Sequence, residues 1–371
     1  MENFIDEKEK IHYTKTLLGK DNQGSLYTTA NSTIVLRNSS GRDIDKKIYP
    51  EISFMPLDEI KNIILPMCFL KEPAIGYVME IPDNFVPLTE ENYAETEVKY
   101  RLKILMNLAK ILNKLHQIPV MYGSISPLRI LIPEDEIGTE VYLLYSTGIS
   151  CTVNLNTSEN TDPYIAPETN ADILSDAYVF CKLAQDLLTD KEVFVAPPDV
   201  EAVIEKALKS SPLERPRMSE IHETLKRAIE ESVNCAKCNW LYHYEEKACP
   251  KCNVLRSKII KAQIYDRISH TNIPKFTEIF DLDTESKFFF NYHIKDKHEK
   301  ENEPFIVFAF NVTKGKKPRF VFKNVSDREI EINSKVVIPG QAVVTELVNT
   351  IEIRVKDEEQ TRCIDISIAG A

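Results

Sequence analysis

Four of the eight cysteines form two pairs of identical spacing, Cys235-x2-Cys238 and Cys249-x2-Cys252, within 18 residues. A C-x2-C turn brings two thiolates onto one metal, and the ten residues between the pairs suffice for a hairpin that closes the shell. The spacing therefore predicts a tetrahedral Zn2+ site with Cys235, Cys238, Cys249 and Cys252 as ligands. Four thiolates leave no open position, so such a site is structural rather than catalytic. The remaining Cys68, Cys151, Cys181 and Cys363 are scattered, which points to metal binding and away from a disulfide framework. His243, between the pairs, reads as a surface residue. Lys237, Lys247, Lys251, Arg256 and Lys258 read as a solvated basic face.

The 371 residues imply two or three domains at roughly 150 residues each. Apolar residues make up 43% and charged residues 28%, the composition of a chain that can bury a core. The formal charge is −11, so no surplus of cations is present to neutralise a nucleic acid or an anionic bilayer, and any such contact must be local. The first ten residues are charged where a signal peptide needs an apolar stretch, and the longest apolar run, Ile63 to Leu70, is broken by Pro66. The expectation is a soluble, cytoplasmic protein. Only 10 glycines occur, where an average near 7% would give about 26. Such scarcity disfavours several glycine-built phosphate cradles.

Residues 12–82 alternate β-prone runs (Ser25–Thr29, Thr33–Arg37, Gly76–Ile81) with polar turns and one helical stretch, Leu57–Ile64. Between Val98 and His116, Leu102, Leu105, Leu108, Leu112 and Leu115 recur at spacings of three and four, as a helix burying one stripe requires. Helical patterns follow at Asp172–Leu188 and at Ser219–Glu231, the second with Ser219 as N-cap. After Val254 the texture changes to short strand-like runs: Phe288–Ile294, Phe305–Val312, Arg319–Phe322, Glu329–Ile332, Thr350–Val355 and Cys363–Ile368. These predict a small β-sandwich or barrel. Within the first run, Phe288, Phe289 and Phe290 read as core with one exposed aromatic.

The segment Tyr122-Gly123-Ser124-Ile125-Ser126-Pro127-Leu128-Arg129-Ile130-Leu131, placed just after the long helix, resembles the catalytic loop of protein kinases. It is nearest the bacterial form H-G-D-[IL]-[SN]-P-x-N-I-L. In order after it come Val141 to Gly148, similar to the strand leading into D-F-G, and Tyr164-Ile165-Ala166-Pro167-Glu168, similar to Y-x-A-P-E. Ser175-Asp176-Ala177-Tyr178 then resembles S-D-V-Y, and Ser211-Pro212-Leu213-Glu214-Arg215-Pro216 resembles D-P-x-x-R-P. Upstream, Leu17 to Tyr27 looks like the glycine-rich loop with Asp21 in place of one glycine, and Gly76-Tyr77-Val78-Met79-Glu80 like the hinge strand. The resemblance is to the bacterial kinase group of tellurium-resistance-type operons, which often carries a zinc ribbon after the kinase domain. It extends to about residue 254.

The resemblance implies a two-lobed protein kinase-like domain over residues 12–231 followed by a four-cysteine zinc ribbon over 232–256. With the β-sandwich-like domain over 257–371, which the strand-like runs predict and which lies outside the resemblance, the expected fold class is α+β. The resemblance also assigns roles. Glu168 and Arg215 correspond to the buried ion pair that ties the activation segment to the following helices, and Asp176 to the carboxylate bracing the catalytic-loop backbone. Gln23, Gly24 and either Arg37 or Lys47 correspond to the nucleotide-binding positions, Arg37 by spacing and Lys47 by local pattern. The segment between Leu188 and Arg215 is short for a kinase, which implies a reduced peptide-docking helix.

Phosphoryl transfer on this fold needs a proton-accepting carboxylate and two metal-holding groups. Those three positions carry Ser124, Arg129 and Tyr145 (Ser146 with a one-residue shift), none of them a carboxylate or amide. A hydroxyl is a poor base at neutral pH, and a guanidinium repels Mg2+. The expectation is a pseudokinase acting as a regulatory scaffold for other proteins, with ATP optional. Family analogy names von Willebrand-type domain proteins or phosphatases as partners. One alternative is an unconventional phosphotransferase or nucleotidyltransferase with a relocated carboxylate, Glu134 or Asp135. A second is a nucleic-acid-associated adaptor using the ribbon.

Overall fold

The computed structural model describes residues 3–21, 24–29, 33–38, 57, 60–94, 96–118, 120–123, 125–134, 139–146, 148–150, 154–155, 164–168, 170–190, 193–269, 271–282, 285–294, 303–311, 319–346, 350–356 and 361–369. The protein mixes α and β structure and divides into two compact units, Met1–Ile229 and Glu230–Ala371. No helix among the described residues is long and apolar enough to cross a membrane.

In the first unit, Asn3–Ile5, Ile11–Lys20, Gly24–Thr29, Thr33–Asn38, Gly76–Glu80 and Cys68–Phe69 lie in that order across one antiparallel sheet. Its two edges meet. Asp6 bridges Leu70, Glu7 N donates to Phe69 O at 3.0 Å, and Lys71 N donates to Ile5 O at 2.7 Å. The closure pairs backbone groups that an open edge would leave to other chains, and Phe4, Val35, Leu70 and Val78 pack together inside it. The sheet thus begins upstream of residue 12, because Asn3–Ile5 is the strand that closes it.

The helix expected over 57–64 is replaced at its end by a strand, Ile63–Ile64, parallel to Tyr142–Leu144. Two β-branched residues in a row favour extended backbone, and Leu65, preceding Pro66, is pushed the same way. The second sheet runs Ile63–Ile64, Tyr142–Leu144, Ile130–Pro133, Phe85–Pro87. Helix Val98–Gln117 buries the expected leucines and, beside them, Ile104 and Ile111, so the covered face is wider than the leucine stripe. The last helix of the unit starts at Met218, and Ser219 therefore lies inside it instead of capping it. The fully buried Met218 side chain anchors that first turn.

Between Leu188 and Arg215 lies a 12-residue helix, Pro198–Lys209, that the sequence reading did not identify. Its signals were a proline in the first turn and apolar Val200, Val203, Ile204 and Ala207 at helical spacing.

Besides the small hairpin Ser232–Asn234/Leu241–His243, the second unit contains two larger antiparallel sheets. One runs Thr271–Asp281, Ile259–Ile268, Thr361–Ala369, Ile351–Lys356, Ile330–Ile332, Lys335–Val337; the other runs Lys287–Phe290, Pro304–Asn311, Arg319–Asn324, Ala342–Glu346. Both line one apolar core, Ile260, Ile264, Ile353 and Ile364 from the first and Phe289, Phe308, Phe320 and Phe322 from the second. The run Phe288–Ile294 is not one strand. It breaks at Phe290 into a helical turn, Asn291–Ile294, where His293 Nδ1 accepts the Phe290 N–H at 2.7 Å. Phe289 is fully buried and Phe288 is exposed. The long hairpin Ile259–Ile268/Thr271–Asp281 escaped the sequence reading because a register shift at Ile264/Tyr265 disturbs its alternation.

Helix Ile173–Leu187 supports the site described next, and a reciprocal cap starts it. Asp172 Oδ1 accepts from Leu174 N at 2.8 Å and Ser175 N at 3.3 Å, while Ser175 Oγ accepts from Asp172 N at 3.1 Å. Replacing such a cap costs about 1 kcal/mol. Asp172→Ala is expected to lower unfolding stability by about that amount, read from urea denaturation; an unchanged midpoint would show that the cap contributes nothing.

Candidate functional site

The loop after helix Val98–Gln117 is pinned at both ends. Met121 and Ser150 exchange backbone hydrogen bonds of 2.9 and 3.0 Å, and Pro127–Arg129 forms a 3-10 turn leading into strand Ile130–Pro133. Asp176, in the first turn of helix Ile173–Leu187, takes three hydrogen bonds. Its Oδ2 accepts from Tyr122 N at 2.7 Å and pairs with His116 Nε2 at 3.0 Å, and its Oδ1 accepts from Gly123 N at 2.9 Å. The sequence pattern marks His116 only as the end of the helix and gives no sign of this partnership. Gly123 has φ +73°, and a Cβ there would stand 2.5 Å from Gly148 O, so glycine is required where the two loops touch. Ser124 lies outside the described residues.

Arg129 is 0% exposed, and acceptors from three segments meet its guanidinium. Nε donates to Asp21 Oδ2 at 2.6 Å and Nη2 to Asp21 Oδ1 at 3.1 Å, a two-pronged ion pair with a carboxylate only 3% exposed. Nη1 donates to Tyr145 O at 2.9 Å and meets Tyr77 Oη at 3.4 Å. The Tyr77 hydroxyl also donates to Tyr145 O at 3.0 Å, with the two rings edge to face at 5.2 Å. Burial disfavours the arginine's charge, but Tyr77 and Asp21 reverse that and raise its pKa above the ordinary arginine value. Tyr145 therefore supplies its carbonyl to this site, while its ring packs on Tyr77.

Asp21 occupies the turn between strands Ile11–Lys20 and Gly24–Thr29. Its Oδ1 also accepts the Gly24 N–H at 3.0 Å, and Asp21 and Gly24 exchange backbone hydrogen bonds of 2.9 and 3.3 Å. Gly24 thus spends its N–H inside the turn. One residue before Lys20, a Cβ on Gly19 would lie 2.7 Å from Leu128 Cδ1, so the hairpin rests directly on the Pro127–Arg129 turn. Gln23 and Lys47 lie outside the described residues. Arg37 sits on strand Thr33–Asn38, in register with Ser25 and Gly76. In the sequence Asp21 registers only as a missing glycine; the overlooked signal is its charge, opposite to that of the arginine at position 129.

Glu168 and Arg215 form a bidentate pair at 2.7 and 2.9 Å. Arg215 Nη1 also reaches Leu174 O at 3.3 Å, its guanidinium lies 4.8 Å from the Tyr178 ring centre, and the Ser175 hydroxyl donates to Glu168 Oε1. Burial raises the Glu168 carboxyl, and the Arg215 and Ser175 hydrogen bonds outweigh it, holding it below its ordinary pKa.

In the second unit the thiols of Cys235, Cys238, Cys249 and Cys252 all lie within 4.8 Å of one another and could hold a metal ion. Cys235 and Cys252 Sγ stand 3.5 Å apart, Cys238 and Cys249 Sγ 3.6 Å. The two turns repeat one geometry: Asn239 N donates to Cys235 O and Asn253 N to Cys249 O, each at 2.8 Å, with both asparagines at positive φ. An Asn after each second cysteine is the sequence trace of this repeated turn. Burial opposes ionisation of Cys235, but the backbone N–H groups of Cys238 and Lys237 and the neighbouring thiols lower its pKa. The segment packs through Val233 and Tyr242 against Ile259 and Ile279 of the following strands, since hairpins this short have no core of their own. His243 is not part of the cluster. No protein-family model matches the chain.

Breaking a buried pair by removing one partner costs about 3–5 kcal/mol, because the other charge stays behind. Glu168→Ala is expected to lose stability in that range near neutral pH. The folded carboxyl has the lower pKa, so this stabilisation is present above the ordinary glutamate range and is lost as pH falls through the lowered value. The gap between wild type and variant should close in acid denaturation series. Separately, Cys249→Ser should cost the chain one equivalent of bound metal per molecule and unfold the paired turns, because metal binding there is folding free energy; undiminished metal content would rule the four-thiol site out.

Proposed function

We propose that the chain is a catalytically inactive protein kinase-like protein, with a structural Zn2+ ribbon and a β-sandwich-like C-terminal domain, that works as a regulatory scaffold for other proteins. The observation that carries this reading is the Asp21–Arg129 ion pair. Were the loop 122–129 a degenerate catalytic loop and the 20–24 turn a degenerate phosphate loop, the guanidinium and carboxylate would join the two and fill the space in which nucleotide and magnesium bind. A guanidinium there also repels a divalent cation. The Asp176 and Glu168–Arg215 networks support the same alignment, since they are the framework pairs the kinase resemblance assigns. Partners are other proteins; von Willebrand-type domain proteins or phosphatases are those that the resemblance suggests.

Zn2+ suits the four thiols: Zn–S bonds of about 2.3 Å give tetrahedral S···S edges of about 3.8 Å, close to the separations above. A relocated carboxylate fits less well. Glu134 follows strand Ile130–Pro133, whose four residues span about 13 Å, so it stands at the strand's far end from Arg129. Asp135 lies outside the described residues. The nucleic-acid reading is weakened by the uses of the ribbon lysines: Lys251 lies 4.5 Å over the Trp240 ring, and Lys261, just beyond the ribbon, donates to Tyr244 Oη at 2.6 Å.

Thermal denaturation with ATP, with and without Mg2+, tests the proposal. Neither condition should raise the melting temperature, and no phosphoryl or nucleotidyl group should be transferred. Arg129→Ala should lower stability by about 3–5 kcal/mol by stranding Asp21. Magnesium-dependent stabilisation by ATP, with group transfer abolished on replacing Glu134 or Asp135, would overturn the scaffold reading in favour of an enzyme.

A further inference from the structure

The seam that closes the first sheet brings together three side chains of different donor chemistry. Asp6 comes from just after strand Asn3–Ile5, His12 from strand Ile11–Lys20, and Cys68 from strand Cys68–Phe69. Asp6 is 2% and His12 4% exposed, and Cys68 is partly open to solvent. Asp6 Oδ2 is the common partner: His12 Nε2 lies 2.9 Å from it, and the Cys68 thiol donates to it at 3.3 Å. The carboxylate, imidazole and thiol donor atoms all lie within 4.8 Å of one another.

We infer that Asp6, His12 and Cys68 form a second metal site, a mixed O/N/S site for Zn2+ or a comparable borderline transition cation, distinct from the four-thiol cluster. Charge supports it. A dication bound by a carboxylate, a thiolate and a neutral imidazole is a net-neutral centre, the only kind a nearly buried position carries cheaply. Orientation supports it too. Asp6 Oδ1 is held by the backbone N–H groups of Lys8 and Lys10, each at 2.9 Å, which leaves Oδ2 as the oxygen facing the other two donors. Carboxylate ligands fixed by such outer hydrogen bonds are characteristic of metal sites. Three protein ligands leave a fourth tetrahedral position for water or an incoming donor, reached from the Cys68 side. This differs from the closed four-thiol site.

Without metal, Nε2 of His12 carries the proton shared with the carboxylate, because the carboxylate can only accept. Binding M2+ moves that proton to Nδ1 and expels the Cys68 thiol proton to solvent; one proton is released per metal and no electron changes hands. The bound ion would staple the N-terminal strand to the far edge of the sheet, at the point where Asp6 bridges Leu70.

The test uses the full chain, stripped of metal under reducing, non-denaturing conditions and equilibrated with Zn2+ alone. Metal analysis after desalting should give two equivalents per chain, falling to one in Cys68→Ser and in His12→Gln. Cobalt replacement should show the loss of a thiolate-to-metal absorption component in Cys68→Ser while the four-thiol component stays. Because a variant at the seam can misfold, the native chain supplies an independent reading: Zn2+ should slow alkylation of Cys68, followed by peptide mass spectrometry, at least tenfold. One equivalent in wild type, or alkylation of Cys68 at the same rate with and without Zn2+, would overturn the site.

Discussion

A guanidinium taken out of water costs several kcal/mol unless acceptors meet it, and that constraint organises the first unit around Arg129. The acceptors come from three places distant in sequence: Asp21 from the turn between strands Ile11–Lys20 and Gly24–Thr29, Tyr77 from an inner strand, and the Tyr145 carbonyl from the end of strand Tyr142–Leu144. Each must be brought to a position set by the planar fork of donors. The sheet with its hairpin turn, the 3-10 turn and the second sheet are therefore tied through one side chain. The packing of Gly19 on Leu128 is the apolar counterpart of the same closure.

A second set of polar contacts holds the helical part without entering that core. Asp176 ties the loop at Tyr122 and Gly123 to the start of helix Ile173–Leu187, and His116 brings in the end of the preceding long helix. Ser175 links this helix start to the Glu168–Arg215 pair, since its hydroxyl accepts from the Asp172 N–H and donates to Glu168. Capping, loop bracing and ion pairing thus share one turn of helix. On the proposed reading, this is the frame of a kinase retained after its chemistry was replaced by a fixed ion pair.

The second unit is held by different physics. Isoleucine and valine from one sheet pack against a phenylalanine cluster from the other, with Phe289 stacked on Phe308 at 5.0 Å and Phe280 edge-on to both. The four-thiol turns rest on this unit's strands through a small apolar cluster, so a metal bound there and the strand packing would support each other. The proposed mixed site at the seam of the first unit would serve the same end there, closing a sheet whose first strand is three residues long.

Local chemistry was legible in the sequence. The C-x2-C spacing named the four thiols because a two-residue turn allows little else, and the leucine spacing of 102–115 named the long helix because its period is set by backbone geometry. Glu168, Asp176 and Arg215 were singled out by motif, but not their partners Ser175, His116 and Leu174 O, which lie on other turns or elements. The seam cluster was invisible because Asp6 and His12 are 56 or more residues from Cys68, and only closure of the sheet makes them neighbours. In the sequence Arg129 reads as a charge in place of a metal. That it is neutralised by Asp21, 108 residues away, was decided by the tertiary structure alone, because a buried charge finds its counter-charge through folding and leaves no periodic trace in the chain.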